Sequence, residues 1–516
     1  MKQLPIGIQS FSEIITKGYL YVDKTQYIAD LLRSGKYFFF SRPRRFGKSL
    51  LLSTIKEVYE GNKTLFKALW IENQWDWSQV HPIIHIGFSS LNYQARPLGE
   101  VLGEELDRIA ASYQLQLLQA EVKDKFRELL GKLSASHGQI VILIDEYDKP
   151  IIDYLGKDTA QAQSHQQLLK AFYSVIKDAD PFIQFLLITG VSKFSKVSIF
   201  SELNNLLDIS LNKDFVDLLG ISEDEIDVYL ADYLPSIAVY QEMDLASLRK
   251  KIQSWYNGYS WDGKTFIYNP FSLLIFIREQ EFRNYWFETG TPSFLLELMK
   301  DQKMYRFENL RVNESSFAAY DIKRLRLLPL LFQTGYLTIK EKGTYRYLLD
   351  YPNKEVRASM YQYIMGELMY EDPAFTTNTI LDLREAFWKN EVEEVIDLIK
   401  SIFGRIPYEI FIANQEAYYH SLIYITFQFL GNYAEAEVST NKGRIDAVVH
   451  TPTDIYLLEF KLDESAEAAL IQIHERKYYE KYTHLNKQIH LLGIGFSSKE
   501  KSIEEWKLEH LTGYGL

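Results

Sequence analysis

The sequence predicts an α/β protein in three parts: a mostly parallel sheet with a phosphate-gripping loop over residues 1–215, a largely helical middle over 216–372, and a second α/β unit over 373–516. Three observations carry that reading. The stretch Tyr37-Phe-Phe-Phe-Ser-Arg-Pro-Arg-Arg-Phe-Gly-Lys-Ser49 runs from an apolar strand through a loop into a helix. Ile140-Val-Ile-Leu-Ile-Asp-Glu146 is a strand of the fully buried type closing on two carboxylates. Far downstream, two strands joined by the Thr451-Pro-Thr-Asp454 turn carry Asp446 and Glu459-Phe-Lys461.

Bulk properties narrow the class. A chain of 516 residues exceeds one hydrophobic core, so two to four domains are expected. The net charge of −12 argues against a whole-surface nucleic-acid binder. Positive charge is nevertheless concentrated locally, with six basic and no acidic residues between Lys36 and Lys56. Aromatic residues make up 15%, which fits large cores and interfaces and also fits base-stacking surfaces. There is no cysteine, which removes disulfides, thiolate nucleophiles and Cys-ligated zinc, and suits a reducing cytoplasm. The start, Met1-Lys-Gln-Leu-Pro-Ile-Gly, lacks a signal-peptide pattern, and no apolar run approaches the ~20 residues of a membrane helix. A cytoplasmic location is expected.

In order along the chain, strands are predicted at 37–40, 83–88, 140–145 and 185–189, with helices at 98–119, 122–136 and 163–179 between them. Ser222 with Glu225 has the spacing of a capping box opening the middle part. Helices follow at 250–256, 272–279 and 323–333. Strands at 336–341 and 345–350 flank a turn at Gly343, and helix followed by a β-wing is the layout of a winged helix. The last part reads as helices at 379–388, 392–403 and 416–430, then strands at 435–440, 444–450 and 454–460. A helix at 465–482 and a strand at 488–493 complete it.

The ending Gly47-Lys48-Ser49 is that of a P-loop, in which backbone N–H groups cradle phosphates, the lysine reaches the outer phosphates and the serine hydroxyl meets Mg²⁺. The following helix adds its N-terminal dipole. Arg42 stands where the motif has its first glycine, and Pro43 pushes it toward an extended conformation. Arg42, Arg44 and Arg45 either contact phosphate or serve as surface cations. Phe46 completes the loop. Asp145 is expected near Mg²⁺ and Glu146 beside the hydrolytic water. Ser192 or Lys193, after the fourth strand, is either a γ-phosphate sensor or a polar turn.

In the C-terminal hairpin, strand alternation puts Glu459 and Lys461 on one face, with Asp446 on the neighbouring strand. Two carboxylates beside a lysine are equipment for metal-assisted phosphodiester hydrolysis, and equally a pattern of cross-strand ion pairs. Glu416 on the preceding helix is a candidate third metal ligand, Gln472 and Tyr478 on the following helix are candidate polar contacts, and Lys442 and Arg444 add charge.

Tyr21-Val-Asp-Lys-Thr25, Ser41-Arg-Pro-Arg-Arg-Phe-Gly-Lys-Ser49, Ile144-Asp-Glu-Tyr-Asp-Lys-Pro150, Thr189-Gly-Val-Ser-Lys-Phe-Ser-Lys-Val-Ser198, Tyr268-Asn-Pro-Phe-Ser272 and Gly443-Arg-Ile-Asp446 with Glu459-Phe-Lys461 together resemble one bacterial family along nearly the whole chain. It is the family of AAA-ATPase-like proteins whose C-terminal part belongs to the PD-(D/E)XK nuclease superfamily, with a restriction-endonuclease-like fold. The resemblance implies that the missing loop glycine is a family habit and that Lys48, Ser49, Asp145 and Glu146 serve ATP. It also implies that Asp446, Glu459 and Lys461 form the nuclease motif, with Glu416 and Gln472 accessory. ATP and Mg²⁺ are the cofactors so implied. The expected activity is a nucleotide-controlled, Mg²⁺-dependent nuclease on DNA rather than RNA, in defence or mobile-element control. The alternative is a regulatory ATPase of the STAND type that binds without cutting; a ring-forming remodelling factor is the weakest reading. Self-association or an activating protein partner stays open.

Overall fold

The computed structural model describes the chain except residues 194–198, 201–202, 204, 287–292, 303, 318–324, 370–372, 406–415, 431–433, 441–442 and 512–516. Two compact units result, Met1–Arg357 and Ala358–Leu516.

The first unit is built on five parallel strands: β1 (Tyr37–Ser41), β2 (Ile83–Gly87), β3 (Ile140–Asp145), β4 (Ile183–Gly190) and a short β5 (Leu207–Asp208), in the order β2-β3-β4-β1-β5. β1 and β3 are buried along their whole length, as strands covered on both faces must be. The helices Lys48–Tyr59, Leu98–Ser112, Val122–His137 and Thr159–Asp178 connect them. The second of these is shorter than the span 98–119, because the chain turns at Gln114 with φ 59°. β5, with only two residues, carries too little pattern to be read from sequence.

The capping box at Ser222 and Glu225 is present in both directions, and the backbone then widens to i→i+5 bonding over Ile226–Leu230. The helices Leu245–Tyr256 and Pro270–Glu279 follow. The helix read at 323–333 occupies Leu327–Thr334, residues 318–324 lying outside the described part. After it come β7 (Thr338–Lys342) and β8 (Tyr347–Asp350), joined by an earlier strand, β6 (Leu310–Val312), in an antiparallel sheet ordered β6-β8-β7. This three-stranded sheet belongs to the same compact unit as the parallel sheet. The helix Lys354–Met369 runs through the boundary between the units.

The second unit holds a mixed sheet of β9 (Ala434–Thr440), β10 (Gly443–His450), β11 (Asp454–Leu462), β12 (Gln488–Ser497) and β13 (Ser502–His510), ordered β13-β12-β11-β10-β9. β11 and β12 are parallel and the other neighbours antiparallel. The helices Pro373–Lys389, Val392–Gly404 and Glu416–Phe429 precede the sheet, and Ala466–Arg476 packs on it through Leu470 and Ile473. The helix expected over 465–482 stops at Arg476, where Lys477 turns left-handed with φ 48°; a short 3₁₀ turn at Tyr478–Lys481 completes the span and a second, Thr483–Leu485, follows. Among the described residues, no helix is long and apolar enough to cross a membrane.

Candidate functional site

Gly47 ends the loop with φ 94°, a left-handed conformation open to glycine at low strain, and caps the helix Lys48–Tyr59. The Lys48 Nζ is buried and donates to the carbonyls of Arg42 and Pro43, both at 2.9 Å. Burial pulls its pKa down, against the nearby carboxylates Asp145 and Glu146. The Ser49 hydroxyl donates to Asp145 Oδ2 at 2.5 Å, while Thr189 Oγ1 donates to Asp145 Oδ1 at 2.7 Å. The loop, the end of β3 and the end of β4 thus meet on one carboxylate. Glu146 follows with φ 52°, strained for a glutamate, and burial beside Asp145 pushes its pKa up.

A cavity of about 460 Å³ opens in front of this cluster. Arg44, Arg45, Gly47, Lys48, Ser49 and Glu146 line one side; residues 5–9, Pro270 and Phe271 line the other. An apolar pocket of about 110 Å³, walled by Ile14, Leu20, Leu51, Leu218 and Ile221, shares Gly47 and Leu50 with it. The N-terminal residues 5–9 did not stand out in the sequence, and Phe271 did so only as part of Tyr268-Asn-Pro-Phe-Ser272, since nothing local marks either as a neighbour of the loop.

The three arginines part company. Arg44 is exposed and lines the cavity. Arg45 lines it too, its guanidinium 3.6 Å over the Phe271 ring. Arg42 does not reach the cavity, which corrects the expectation of a phosphate contact. It is 1% exposed, sandwiched by Phe40 and Trp261 at 4.3 and 3.9 Å, and donates to the carbonyls of Ser41, Ser210 and Phe215. Burial lowers its pKa to about 9. A planar, delocalised cation tolerates such stacking, so Arg42 anchors the loop from behind. Phe46 is buried edge-on against Tyr259 and Trp261 and anchors it from below.

Ser192 and Lys193 are engaged elsewhere. Asp148, fully buried, accepts from the Val191 and Ser192 amides and the Ser192 hydroxyl. Lys193 pairs with Asp208, and its amide donates to Gln333. Gln333 sits on the helix Leu327–Thr334, and Gly335 at that helix's end lies against the loop: a Cβ there would stand 2.7 Å from Pro43.

In the second unit, the β10–β11 register pairs Ala447 with Leu458, so Asp446 and Glu459 are the next cross-strand neighbours. Asp446 Oδ2 accepts from the Phe460 amide at 2.8 Å, fixing one carboxylate to the strand that bears the other. Lys461 Nζ donates to Gln472 Oε1 at 2.6 Å, and Gln472 Nε2 donates to Glu459 Oε1. Tyr478 donates to the Arg444 carbonyl at 2.9 Å and accepts from Gln472 at 3.5 Å. Asp446, Glu459, Lys461 and Gln472 therefore converge. Glu416 opens the helix Glu416–Phe429, its side chain lying outside the described part, as does Lys442.

Glu459 is 3% exposed, and among the described residues its Oε2 accepts no hydrogen bond. Burial, then the adjacent Asp446, pushes its pKa up to about 8. A buried carboxylate oxygen without a donor, beside a second carboxylate, fits a hard divalent cation such as Mg²⁺, which takes one or two carboxylates and keeps its waters. Among the described residues no group of three or more His, Cys, Asp or Glu gathers as a larger metal cluster. At the P-loop, the Ser49 and Asp145 oxygens fit the same ion.

A family described as "Predicted AAA-ATPase" matches residues 5–200, and the PD-(D/E)XK nuclease superfamily matches residues 414–506. A curated protein of Azotobacter chroococcum mcd 1, entitled "Uncharacterized protein in vnfD 5'region", is 38% identical over 525 residues, spanning 99% of each chain.

Proposed function

Because the chain belongs to the AAA-ATPase-like proteins that end in a PD-(D/E)XK nuclease superfamily domain, we propose that it hydrolyses nucleic-acid phosphodiesters at Asp446, Glu459 and Lys461 under the control of ATP at Lys48. The observation that carries the reading is the buried Glu459 carboxylate, whose Oε1 accepts from the Gln472 side chain that also holds Lys461, while its Oε2 accepts no hydrogen bond among the described residues.

Each residue has a task. Asp446 and Glu459 hold Mg²⁺, which when bound supplies positive charge and an acidified water. Lys461 places a cation beside the scissile phosphate. Gln472 links Lys461 to Glu459 and keeps both side chains aimed inward. At the P-loop, Lys48 and the exposed Arg44 bind phosphates, Ser49 and Asp145 hold Mg²⁺, and Glu146 orients water. The apolar pocket beside Gly47 takes the base.

The helix Leu327–Thr334 with its β7–β8 hairpin, backed by β6, is read as a winged helix. Its contact with Pro43 through Gly335, and with the end of β4 through Gln333, supports a route from nucleotide to effector. Nuclease assays on single- and double-stranded DNA and RNA, with and without ATP, test the reading. Mg²⁺-dependent cutting of DNA is expected, lost in Lys461→Ala with ATP binding intact, and losing its ATP dependence in Lys48→Ala. Undiminished cutting by Lys461→Ala would exclude this site.

A further inference from the structure

We propose that the turn after the helix Ala466–Arg476 is a phosphate track, on which Arg476, Lys477, Lys481, His484 and Lys487 bind the backbone of a nucleic-acid strand leading away from the Asp446–Glu459 centre. The inference rests on the phosphodiester reading above and adds to it where the strand lies.

Charge is the first support. Residues 476–487 carry four Lys or Arg and one acid, Glu480, in a chain of net charge −12. Arg476, Lys477, Lys481 and His484 are exposed and Lys487 is half-buried. Lys477 faces Glu480 at 3.8 Å; Lys481 lies 5.4 Å over the Tyr482 ring and pairs with no carboxylate among the described residues; Lys487 bonds the Thr451 carbonyl. Opposite the track, Glu435 pairs with His450 at 3.6 Å. Burial holds His450 below its ordinary pKa, and Lys487 and Lys481 add to that against Glu435.

Geometry is the second. Two left-handed residues, Lys477 and Asn486 at φ 48° and 51°, bracket two short 3₁₀ turns, and the buried Tyr478 and Tyr482 pin them to the sheet. Tyr478 donates to the Arg444 carbonyl at the start of β10, beside Gln472 and the catalytic carboxylates. Tyr482 lies 5.7 Å from His450 at the end of β10, and Lys487 reaches Thr451 just beyond it. The track therefore follows β10, eight residues long. At ~3.3 Å per residue that is about 25 Å, the span of roughly seven phosphates of one strand. A fixed series of cations along such a length matches a polyanion, not a single phosphate group.

The test uses the full chain in EDTA, where no cutting occurs. Binding of fluorescein-labelled 30-nucleotide DNA, single-stranded and duplex, is followed by anisotropy for wild type, Lys477→Ala/Lys481→Ala and Glu480→Lys. Both substitutions lie on exposed side chains, and equal melting temperatures and equal ATP turnover check that folding is untouched. The double variant is expected to weaken binding roughly tenfold or more at 100 mM salt, and to lower the slope of log K against log[salt] by about two. Glu480→Lys is expected to tighten binding by about threefold or more. Unchanged affinity and slope in the double variant, with wild type binding and cutting, overturn the track and leave the catalytic reading standing. Absence of binding by wild type overturns the track, and absence of cutting with Mg²⁺ and ATP overturns the catalytic reading with it.

Discussion

At the residue scale, the loop's arginines show how far burial separates neighbours of like chemistry. Arg42→Ala removes a cation stacked between two rings and its three carbonyl partners, and is expected to destabilise the first unit by about 3 kcal/mol or more. Arg44→Ala, at an exposed position, should move stability by no more than about 0.5 kcal/mol yet weaken ATP binding about tenfold. Thermal melts and nucleotide titration of the two variants separate the roles. Glu355 supplies a pH prediction. It is fully buried, accepts from the Trp286 amide at 2.8 Å, and burial pushes its pKa from 4.5 up to about 7. The folded chain therefore holds the extra proton between those values, and this contribution to stability is complete below pH 4.5 and lost as pH rises through about 7. The loss is on the order of 3 kcal/mol. Glu355→Gln should flatten the fall in melting temperature between pH 5 and 8. Local pattern singled out Lys48, Ser49, Asp145 and Glu459 as candidates, because each belongs to a short motif. Arg42 and Asp148 were opaque in that respect: their partners, at Ser210, Trp261 and Ser192, lie some 40 to 220 residues further along the chain.

At the element scale, the central strands were legible because their apolar runs are long and bounded: the observed ends match the reading at β3 and differ by one residue at β1. β13 was missed. As an edge strand it alternates charged residues with Ile503, Trp506 and Leu508, which blunts the edge and also blurs the strand signal. The seating of the helix Ala466–Arg476 depends on Gly493 in β12: a Cβ there would collide with the Ala466 carbonyl and stand 2.9 Å from Leu470. That helix carries Gln472. Gly493→Ala should therefore lower nuclease turnover at least tenfold while ATP turnover stays within twofold of wild type, measured on the same preparation. Equal loss of both activities would point to general misfolding instead. Gly335→Val should weaken nucleotide binding, since its side chain would press into Pro43 and tilt the phosphate loop, and nucleotide titration checks it.

At the scale of the whole molecule, two compact units, each with its own sheet and core, should melt as two calorimetric transitions. ATP with Mg²⁺ at a hundred times its Kd should raise the first unit's transition by about 2.7 kcal/mol of stability, and Lys48→Ala should abolish that shift. The sheet order has a consequence for how the chain is made. β1, with its run Phe38-Phe39-Phe40, pairs with β4, whose residues emerge roughly 150 positions later. At a synthesis rate of about 5–20 residues per second, that strand waits roughly 7–30 s before its partner exists. During that interval the nascent chain displays three consecutive phenylalanines to solvent or to whatever holdase meets it. Slowing translation just after residue 60 should therefore raise the aggregated fraction of newly made protein, whereas slowing it after residue 220 should not.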